Sequence, residues 1–582
     1  MCIPTAQPKG TIAPIRLRQT AVRLVAGLAC LALGSASACT PDLDANQRAH
    51  WSSRDGDVAM GSDAVRIVVR TAIRRPISRY IYGANFTEPD KWGHPRAFPP
   101  FTLNRLGGNR MSAYNWENNY SNAGNDYQYE NDEYLSTSRV PGEAIRSRVA
   151  ASLARHEGVL VTVPMLGEVA ADGAGPMEVS DFTHDQRMVK RFKISRPAKP
   201  GALSLAPDTS DAYVYQDEFV HWLEHEFPDS ARDPLTPIFF SLDNEPDLWS
   251  STHEEVNSKI AGLLPHLESY QGFIDQSVRY ARAIKRVAPD ALVFGPALSG
   301  WVGMATLGRY PEPDPRYGSR FFLDVYLDGM RQAEAREGKR LLDVLDLHWY
   351  PQVNLRPDPS VGEIEKRLQL PRSLWDPSYD EGTWVTRAAD GPIRLLPRVR
   401  QEIARHYPGT KLAITEYYYG GGNDISGGIV EADVLGIFGR EGVFAANLWP
   451  VANLGSAELH GDGNLAYGYI FAAFDMFLNY DGAGGRFGDT GVEATTSDPV
   501  HSSAYASVDS AGHVVIVAIN KTRAALPAAI QVVHPGPLHA ASVYTLTGTV
   551  PAPRRLPDVA IAANNTLLYR MPPMSVSTLV MR

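Results

Sequence analysis

Short apolar runs alternate with longer stretches of helical periodicity between residues 80 and 448. In the longer stretches, apolar residues recur at helical spacing, as at Ile274, Val278 and Ile284. The short runs predict eight strands, which are Tyr80–Phe86, Leu103–Asn109, Val159–Leu166, Ile238–Asn244, Leu292–Ala297, Val344–Trp349, Lys411–Glu416 and Val443–Leu448. This alternation predicts the α/β class and a closed (β/α)8 barrel of the TIM type. An open doubly wound sheet is the alternative, but no glycine-rich phosphate loop follows the first strand.

The pattern changes after about residue 485, where the helical periodicity stops. The tail predicts six strands of a small all-β sandwich, which are Ala504–Val508, His513–Asn520, Ala528–Val533, Ala541–Leu546, Thr566–Met571 and Val576–Met581. A further strand is predicted at Val65–Arg70, ahead of the barrel, and we expect it to pair into the sandwich. The predicted domains are therefore a secretory signal peptide (1–38), a loose mature N-terminal segment (39–64), an N-terminal strand region that joins the sandwich (65–80), the barrel (81–485) and the C-terminal sandwich (486–582).

The first 38 residues have the pattern of a secretory signal peptide. Three arginines between residues 16 and 23 precede an apolar run over residues 24–34, an Ala-Ser-Ala sequence ends at Ala38, and no acidic residue precedes Asp42. The apolar run is too short for a membrane-spanning helix. Cleavage after Ala38 would place Cys39 first, which also suits lipoprotein processing. We therefore expect a secreted, cell-surface or periplasmic protein, either free or anchored by a lipid on Cys39.

Composition and charge narrow the class of function. Of the 582 residues, 44% are hydrophobic and 21% are charged, which is typical of a globular protein. The net charge of −9 argues against binding to nucleic acid or to an anionic membrane surface. All three cysteines, Cys2, Cys30 and Cys39, precede residue 40, so the folded body has no thiol nucleophile and no disulfide. The motifs of zincin metallohydrolases and of nucleophile-elbow hydrolases are both missing from the sequence.

Two glutamates end two of the predicted barrel strands. The fourth strand runs into Asp-Asn-Glu-Pro, which contains Glu245, and the seventh ends in Thr-Glu-Tyr, which contains Glu416. Catalytic residues of this fold lie at the carboxyl ends of the strands. Two carboxylates about 5–5.5 Å apart are typical of retaining glycosidases, in which one is the nucleophile and the other acts first as acid and then as base. The acid must hold its proton near neutral pH, which requires burial or a like-charged neighbour.

Polar residues near these glutamates are candidate substrate contacts. Asn244 can donate a hydrogen bond to a sugar 2-hydroxyl, a bond that strengthens in the transition state. His348 and Tyr350 share one face of the sixth strand, within reach of a carboxylate, although a buried histidine can also be purely structural. Arg105 on the second strand can hold a carboxylate ionised or make a surface salt bridge. Asn109 either contacts sugar hydroxyls or only forms a turn.

Five of the ten tryptophans follow predicted strand ends, namely Trp116, Trp249, Trp301, Trp349 and Trp449. Indole faces stack on the apolar faces of pyranose rings, so five at one rim predict a long cleft that binds a polysaccharide. The loop Tyr114–Tyr134 is rich in Asn, Tyr and Asp, which suits hydroxyl recognition or a calcium site. No tryptophan follows Trp449, so we expect the tail sandwich to be structural rather than a carbohydrate-binding module.

Several of these segments resemble glycoside hydrolase family 44, a family of retaining barrel enzymes in clan A. The resemblance runs from about residue 65 to the C-terminus, and it is carried by GGNRMSAYNWEN at 107–118, FSLDNEPDLW at 240–249, GPALSGW at 295–301 and ITEY at 414–417 with the glycine-rich stretch 420–428. The three consecutive tyrosines at 417–419 depart from the pattern of the family.

The resemblance implies an endo-acting β-1,4-glucanase whose substrates are cellulose derivatives and xyloglucan. It implies that Glu245 is the acid/base and Glu416 the nucleophile, that catalysis needs no cofactor, and that a sandwich built partly from the N-terminal strand accompanies the barrel. Members of the family can carry a structural calcium ion, whose ligands the sequence does not identify. Two alternatives stay open: another clan A glycosidase, such as a xylanase or an arabinofuranosidase, and a non-catalytic glycan-binding lipoprotein anchored at Cys39.

Overall fold

The structure is a computed structural model, and it describes residues 64–87, 98–177, 190–230, 233–257, 269–308, 314–353, 359–449 and 468–582. The predicted signal peptide, Cys39 and nearly all of the predicted N-terminal segment lie outside these ranges. No helix within them is both long enough and apolar enough to cross a membrane.

The strands are, in chain order, Val65–Pro76 (β1), Gly83–Asn85 (β2), Leu103–Leu106 (β3), Ser121–Asn122 (β4), Asn131–Asp132 (β5), Gly158–Val163 (β6), Glu168–Ala170 (β7), Phe192–Arg196 (β8), Tyr213–Tyr215 (β9), Ile238–Leu242 (β10), Val293–Leu298 (β11), Val344–Trp349 (β12), Lys411–Tyr417 (β13), Ala445–Leu448 (β14), Thr490–Thr496 (β15), Ser502–Val508 (β16), Val514–Asn520 (β17), Leu526–Val533 (β18), Ala540–Thr547 (β19), Val550–Ala560 (β20), Thr566–Met571 (β21) and Ser575–Met581 (β22). The helices are Asn109–Ser112 (α1), Glu143–Ala154 (α2), Gln216–Glu226 (α3), Trp249–Thr252 (α4), Glu254–Asn257 (α5), Tyr270–Val287 (α6), Trp301–Thr306 (α7), Phe322–Glu337 (α8), Val361–Gln369 (α9), Trp384–Ala388 (α10), Leu395–His406 (α11), Ile425–Glu441 (α12) and Gly468–Leu478 (α13).

Eight parallel strands close into a barrel in the order β2, β3, β6, β10, β11, β12, β13, β14. The predicted fold class is therefore confirmed. Strands of such a barrel are buried on both faces, which explains why they are nearly continuous apolar runs rather than alternating ones. In β6, for example, all six residues of the sequence GVLVTV are buried.

The inside of the barrel changes character along its axis. Its amino-terminal end is filled by a buried apolar cluster, Leu103, Leu160, Phe239, Phe294, Val344, Ala413 and Ala445. One or two inward positions further along the strands, the buried residues become polar, as at Asn85, Arg105, Asp346 and Thr415. The apolar end stabilises the barrel, and the polar end forms the floor of the candidate site.

The remaining long strands form one nine-stranded sheet in the order β20, β19, β22, β17, β16, β15, β1, β18, β21. Its two edge strands, β20 and β21, contact each other, so the sheet rolls up around its own apolar core, which includes Ile67, Ile530 and Leu579. Strand β1 lies inside this sheet, antiparallel to β15 and parallel to β18.

Both faces of the rolled sheet are buried at β17. Ile516 faces the core of the sheet, whereas its neighbours Val515 and Val517 belong to the large cluster that includes the barrel helices. Helices α12 and α13 pack against this outer face. The uninterrupted apolar sequence of β17 therefore reflects an apolar contact between the sheet and the barrel.

Candidate active site

A tightly held turn presents Glu245 at the carboxyl end of β10. Asp243 and Glu245 both have a positive φ, 68° and 44°. The buried Asp243 carboxylate accepts hydrogen bonds from the main-chain N–H groups of Leu166 (2.9 Å) and Asn244 (2.8 Å). The N–H of Glu245 donates to the carbonyl oxygen of Ala297 (2.9 Å). These bonds hold a strained backbone at the position where the candidate acid is needed.

An irregularity in β13 turns Glu416 toward the barrel axis. Leu347 pairs with Ile414, but the next residue, His348, pairs with Glu416, so Thr415 is an extra residue on the β13 side. The Thr415 hydroxyl donates to a buried carboxylate inside the barrel (2.7 Å) and therefore also faces inward. Strict alternation would place Glu416 on the outside, and the bulge removes that conflict.

The two glutamates meet at the mouth of the barrel. A carboxylate oxygen of Glu245, one of Glu416 and a ring nitrogen of His348 all lie within 4.8 Å of one another. The Nδ1 atom of His348 is 2.8 Å from Oε1 of Glu245 and 3.4 Å from Oε2 of Glu416. The Tyr350 hydroxyl donates to that same Oε2 (2.8 Å). The structure therefore brings together the two predicted carboxylates and both candidates from the sixth barrel strand.

Arg105 joins this pair to the rest of the floor. Its guanidinium is fully buried and donates to Oε1 of Glu416 (2.6 Å), to the side-chain oxygen of Asn85 (3.0 Å) and to that of Asn244 (2.8 Å). A surface salt bridge is thereby excluded for Arg105. Both oxygens of Glu416 accept hydrogen bonds, and the guanidinium adds a positive charge, as a carboxylate nucleophile requires.

The electrostatics differ between the residues of the site. Burial raises the pKa of Glu245 to about 7, against the opposing effect of Arg105, while 16% of its side chain stays exposed. Burial lowers the pKa of His348 to about 3, so its imidazole is neutral at neutral pH. Burial also raises the pKa of Tyr350 well above its ordinary value, which keeps the phenol as a donor. The site thus combines a carboxyl group that can hold a proton near neutral pH with a second carboxylate that accepts two hydrogen bonds.

The two predicted asparagines lie side by side on the wall. The Asn244 side-chain oxygen also accepts from the main-chain N–H of Gly108 (3.2 Å), and its NH2 group lies 3.5 Å from the side-chain oxygen of Asn109. The NH2 group of Asn109 donates to Asp126 (3.0 Å). The amide orientation of Asn244 is therefore set by its neighbours, with the NH2 group on the Asn109 side.

The prediction that five tryptophans at one rim line a cleft is wrong for four of them, which are buried: Trp116, Trp249, Trp301 and Trp349. Trp116 stacks on Phe219 inside the helical layer. Trp349 follows His348 in β12 and therefore points away from the barrel axis. The Trp301 ring packs edge-on against Phe321. Aromatic residues at strand ends fill the layer between strands and helices as readily as they line a cleft.

Trp249 supports the site although it does not line it. Its indole N–H donates to the main-chain oxygen of Asn244 (2.9 Å), so it holds the catalytic turn from behind. Trp449 is the remaining candidate platform, since it is half-buried at the end of β14. A Cβ atom on Gly108 would lie 2.6 Å from the Cη2 atom of its ring, so the glycine allows the edge of the indole to approach the loop after β3 closely.

The sequence reasoning missed Trp384 and singled out Tyr127 only as part of a loop. The half-buried Trp384 donates from its indole N–H to the side chain of Gln352 (3.2 Å), which donates to the main-chain oxygen of Tyr350 (3.0 Å). Tyr127 is 55% exposed and directly follows Asp126, the partner of Asn109. The signal that could have found Trp384 is its place in the long stretch between the sixth and seventh predicted strands, residues 350–410.

Two groups of described residues have a spacing that suits a metal ion. One is the catalytic trio itself, and the other is Asp324, Glu402 and His406 on helices α8 and α11. Each contains a histidine, whereas calcium prefers an all-oxygen ligand set. Neither group therefore fits the structural calcium ion that members of the resembled family can carry, and its ligands stay unassigned.

Comparison with known proteins fits this geometry. A model of glycoside hydrolase family 44 matches residues 120–353. The solved structure of a Paenibacillus polymyxa xyloglucanase from this family, determined with xyloglucan, is 37% identical, with a TM-score of 0.79; the match covers 89% of this chain and 99% of that one. The chain belongs to glycoside hydrolase family 44.

Two curated relatives of this family 44 chain also match over most of its length. The β-mannanase/endoglucanase A of Caldicellulosiruptor saccharolyticus is 36% identical over 87% of this chain, and the endoglucanase A of Paenibacillus lautus is 38% identical over 77% of it. The matches cover 38% and 62% of those two proteins, so the chain spans less than two thirds of either relative.

Proposed function

We propose that this chain is a retaining endo-β-1,4-glucanase that cleaves soluble cellulose derivatives and xyloglucan. The observation that carries the proposal is the pair Glu245 and Glu416, whose carboxylate oxygens approach within 4.8 Å at the carboxyl ends of β10 and β13. Such a separation suits direct attack by one carboxylate and leaves no room for the intervening water of an inverting enzyme. The names of the family 44 relatives favour a glucan backbone.

In the first step, Glu416 attacks the anomeric carbon, and the bond from that carbon to the leaving oxygen breaks. Glu245 gives its proton to the leaving oxygen, which its pKa of about 7 allows. Arg105 and Tyr350 keep the Glu416 oxygens aligned through the 2.6 and 2.8 Å hydrogen bonds.

In the second step, the deprotonated Glu245 takes a proton from water. The water oxygen attacks the anomeric carbon, and the bond between the sugar and Glu416 breaks, which restores the free carboxylate. Asn244 donates to the sugar 2-hydroxyl in both steps. Its side-chain oxygen accepts hydrogen bonds from Arg105 and Gly108, so the NH2 group is the end of the amide that can face the sugar. His348 is neutral and links the two carboxylates.

We also propose that the substrate lies in an open cleft rather than a closed pocket. Three aromatic rings are connected to different parts of the site. The half-buried indole of Trp449 is connected through Gly108, and that of Trp384 through Tyr350. The exposed ring of Tyr127 is connected through Asp126. Rings spread in this way can each stack on a different sugar of one chain, which suits internal cleavage.

The leader pattern supports export, and we propose that the mature protein acts outside the cytoplasm, either free or anchored by lipid on Cys39. A polymeric glucan cannot enter a cell intact, so its hydrolase must meet it outside. Cell fractionation with mass spectrometry of the mature N-terminus tests this proposal, and a Met1 start in the cytosol would contradict it.

The central test is the release of reducing ends from xyloglucan, carboxymethylcellulose, mannan and xylan. Wild type should shorten the glucan chains internally, Glu416→Ala should lose at least about 10⁴-fold in kcat, and Glu245→Gln should lose most activity as well. Glu402→Gln, on the outer helix α11, is the matched control and should keep full activity. Folded wild type that releases nothing would favour the glycan-binding alternative, and exclusive release from xylan would favour a xylanase.

A further inference from the structure

His253 lies behind the wall of the site, and the proposed mechanism does not use it. It is fully buried at the junction of α4 and α5, and both of its ring nitrogens are within hydrogen-bond distance of oxygen. Nδ1 is 2.7 Å from Oε1 of Glu255, and Nε2 is 2.9 Å from the main-chain oxygen of Asn109.

The two partners indicate which protons the ring carries. A main-chain carbonyl oxygen can only accept, so Nε2 of His253 must hold a hydrogen. Nδ1 faces a carboxylate, whose preferred partner is a second N–H. A ring that donates from both nitrogens is an imidazolium.

The charged groups around His253 agree with this state. Glu255 approaches from α5, Asp243 from the end of β10 and Asp126 from the loop between β4 and β5, so all three facing groups are acids. Glu168, at the start of β7, lies behind Glu255. Arg110 acts on Asp126 from the other side but makes its own ion pair with an acid of β5. The Coulombic attraction of Glu255 and its hydrogen bond raise the pKa of His253 against the opposing effect of burial.

Through Asn109, the imidazolium acts on the loop that orients Asn244. The main-chain N–H of Gly108, next to Asn109, donates to the Asn244 side-chain oxygen (3.2 Å). Trp249, four residues before His253, donates to the Asn244 main-chain oxygen (2.9 Å). The segment that contains Trp249 and His253 therefore touches the Asn244 turn and the neighbouring loop at two points.

The packing leaves this segment little room to move. A Cβ atom on Gly124 would lie 2.2 Å from the main-chain oxygen of Thr252 and 3.1 Å from the His253 ring. The loop between β4 and β5 thus packs directly against the His253 segment, and only a glycine fits at that point.

We propose that His253 is a positively charged positioning residue, kept ionised by Glu255, which holds the Asn109 loop and thereby fixes the Asn244 amide for the sugar 2-hydroxyl. The charge assignment stands on the structure alone. Its catalytic consequence rests on the proposed function.

The charge is tested by NMR on the full chain with 15N-labelled histidine, between pH 5.5 and 8. The signal that disappears in His253→Gln identifies the residue, and we expect both of its nitrogens to show the protonated imidazolium shift at pH 7. In Glu255→Gln the same ring should show one protonated and one bare nitrogen. A neutral ring in wild type at pH 7 would overturn the proposal, whether or not the chain cleaves glucan.

The positioning role is tested by kinetics on the best glucan substrate. We expect kcat of the double variant His253→Leu/Glu255→Leu, which removes both members of the charged pair, to fall about tenfold or more, with KM within about twofold of wild type. In an Asn244→Ala background the same pair of changes should lower kcat less than about twofold, because the residue through which His253 acts is gone. Effects that multiply fully in the combined variant, or no loss of kcat, would overturn the proposal.

A matched control separates positioning from general destabilisation. His513→Leu removes another histidine–carboxylate pair, with Asp509 at 2.9 Å, which is partly exposed in the turn between β16 and β17. It should leave kcat and KM unchanged. A wild type that cleaves none of the glucans would refute the proposed function, and the NMR result would then decide the charge of His253 by itself.

Discussion

Glu245 carries the proton of the proposed first step, and its burial sets the pH range of activity. Burial raises the pKa of Glu245 to about 7, so the protonated form is lost as the pH rises through that value. We predict that kcat/KM falls by half near pH 7 and then by about tenfold per pH unit on the alkaline side. A pH profile on a soluble glucan checks this, with the stability of the enzyme verified at each pH. A profile that stays flat from pH 6 to pH 9 would contradict the role of Glu245 as the acid.

Glu431 is a buried acid directly behind the nucleophile strand. The Tyr417 hydroxyl donates to its carboxyl group (2.7 Å), and burial raises the pKa of Glu431 from 4.5 to about 8. The folded protein therefore holds a proton that the unfolded chain releases above pH 4.5, so this group's contribution to stability is fully present below pH 4.5 and is lost between pH 4.5 and 8.

We predict that Glu431→Gln removes this pH dependence. The variant should match wild type in stability near pH 5 and exceed it progressively toward pH 8, by up to about 1.4 kcal/mol per pH unit. Urea unfolding at several pH values measures the difference. Glu365→Gln, at an exposed position of α9, should shift the free energy of unfolding much less. A constant difference between Glu431→Gln and wild type across the pH range would contradict the prediction.

The sequence predicts the positions of the two catalytic candidates more accurately than it predicts which neighbouring residues line the site. An acid at the end of a barrel strand can face only the mouth or the solvent, so Glu245 and Glu416 could be found from strand positions alone. A tryptophan at the end of a barrel strand can also pack in the apolar layer between the strands and the helices, as Trp116 and Trp349 do. The bulge at Thr415 could not be predicted, because the side chains on both sides of it are compatible with a regular strand.

Among the elements, β20 is a strand whose sequence lacks the pattern typical of strands. Its sequence VPAPRRLPDVA contains three prolines and little alternation, so no strand was predicted there. Proline is tolerated on an edge strand, where half of the N–H groups have no strand partner, and β20 is indeed an edge of the sheet. The barrel strands, by contrast, could be placed within a few residues, because strands buried on both faces are strongly apolar.

Helix α12 is joined to the rolled sheet by a buried ion pair. Lys521, directly after β17, lies 2.7 Å from Asp433 of α12, and both side chains are almost fully buried. The Tyr505 hydroxyl of β16 donates to the same carboxylate. Removing one partner leaves the other charge buried without compensation.

We predict that Lys521→Met lowers the free energy of unfolding by about 3–5 kcal/mol, and that adding Asp433→Asn restores most of it. Chemical denaturation of both variants tests this pair. Arg555→Met, which breaks the exposed ion pair with Asp558, is the control and should cost less than about 1 kcal/mol. Equal losses in the single and the double variant would argue against an unpaired charge as the cause.

For the whole molecule, β1 decides whether the rolled sheet is complete. It lies between β15 and β18, and its residues Ile67 and Val69 are fully buried in the core of the sheet. Without β1, two strands would expose unpaired edges and the core would open.

We predict that a chain beginning at Ile77, which lacks β1, does not fold cooperatively. A chain beginning at Ala64 should melt like the full-length protein, because it keeps the whole strand. Thermal unfolding followed by circular dichroism, together with soluble yield, compares the two. A cooperative transition in the shorter chain would show that the barrel and the remaining strands are stable without β1.

Because β1 lies inside the rolled sheet, its position also constrains the order in which the strands of the sheet can pair during folding. Arg66 leaves the ribosome early, yet the side chain to which its main-chain N–H donates belongs to a residue 431 positions later. Strand β1, the first of the described strands, therefore lacks its sheet partners until most of the polypeptide has been synthesised, and contacts of such long sequence separation form slowly. The rolled sheet can accordingly close only after the barrel strands have been synthesised, so the sheet is completed late in folding.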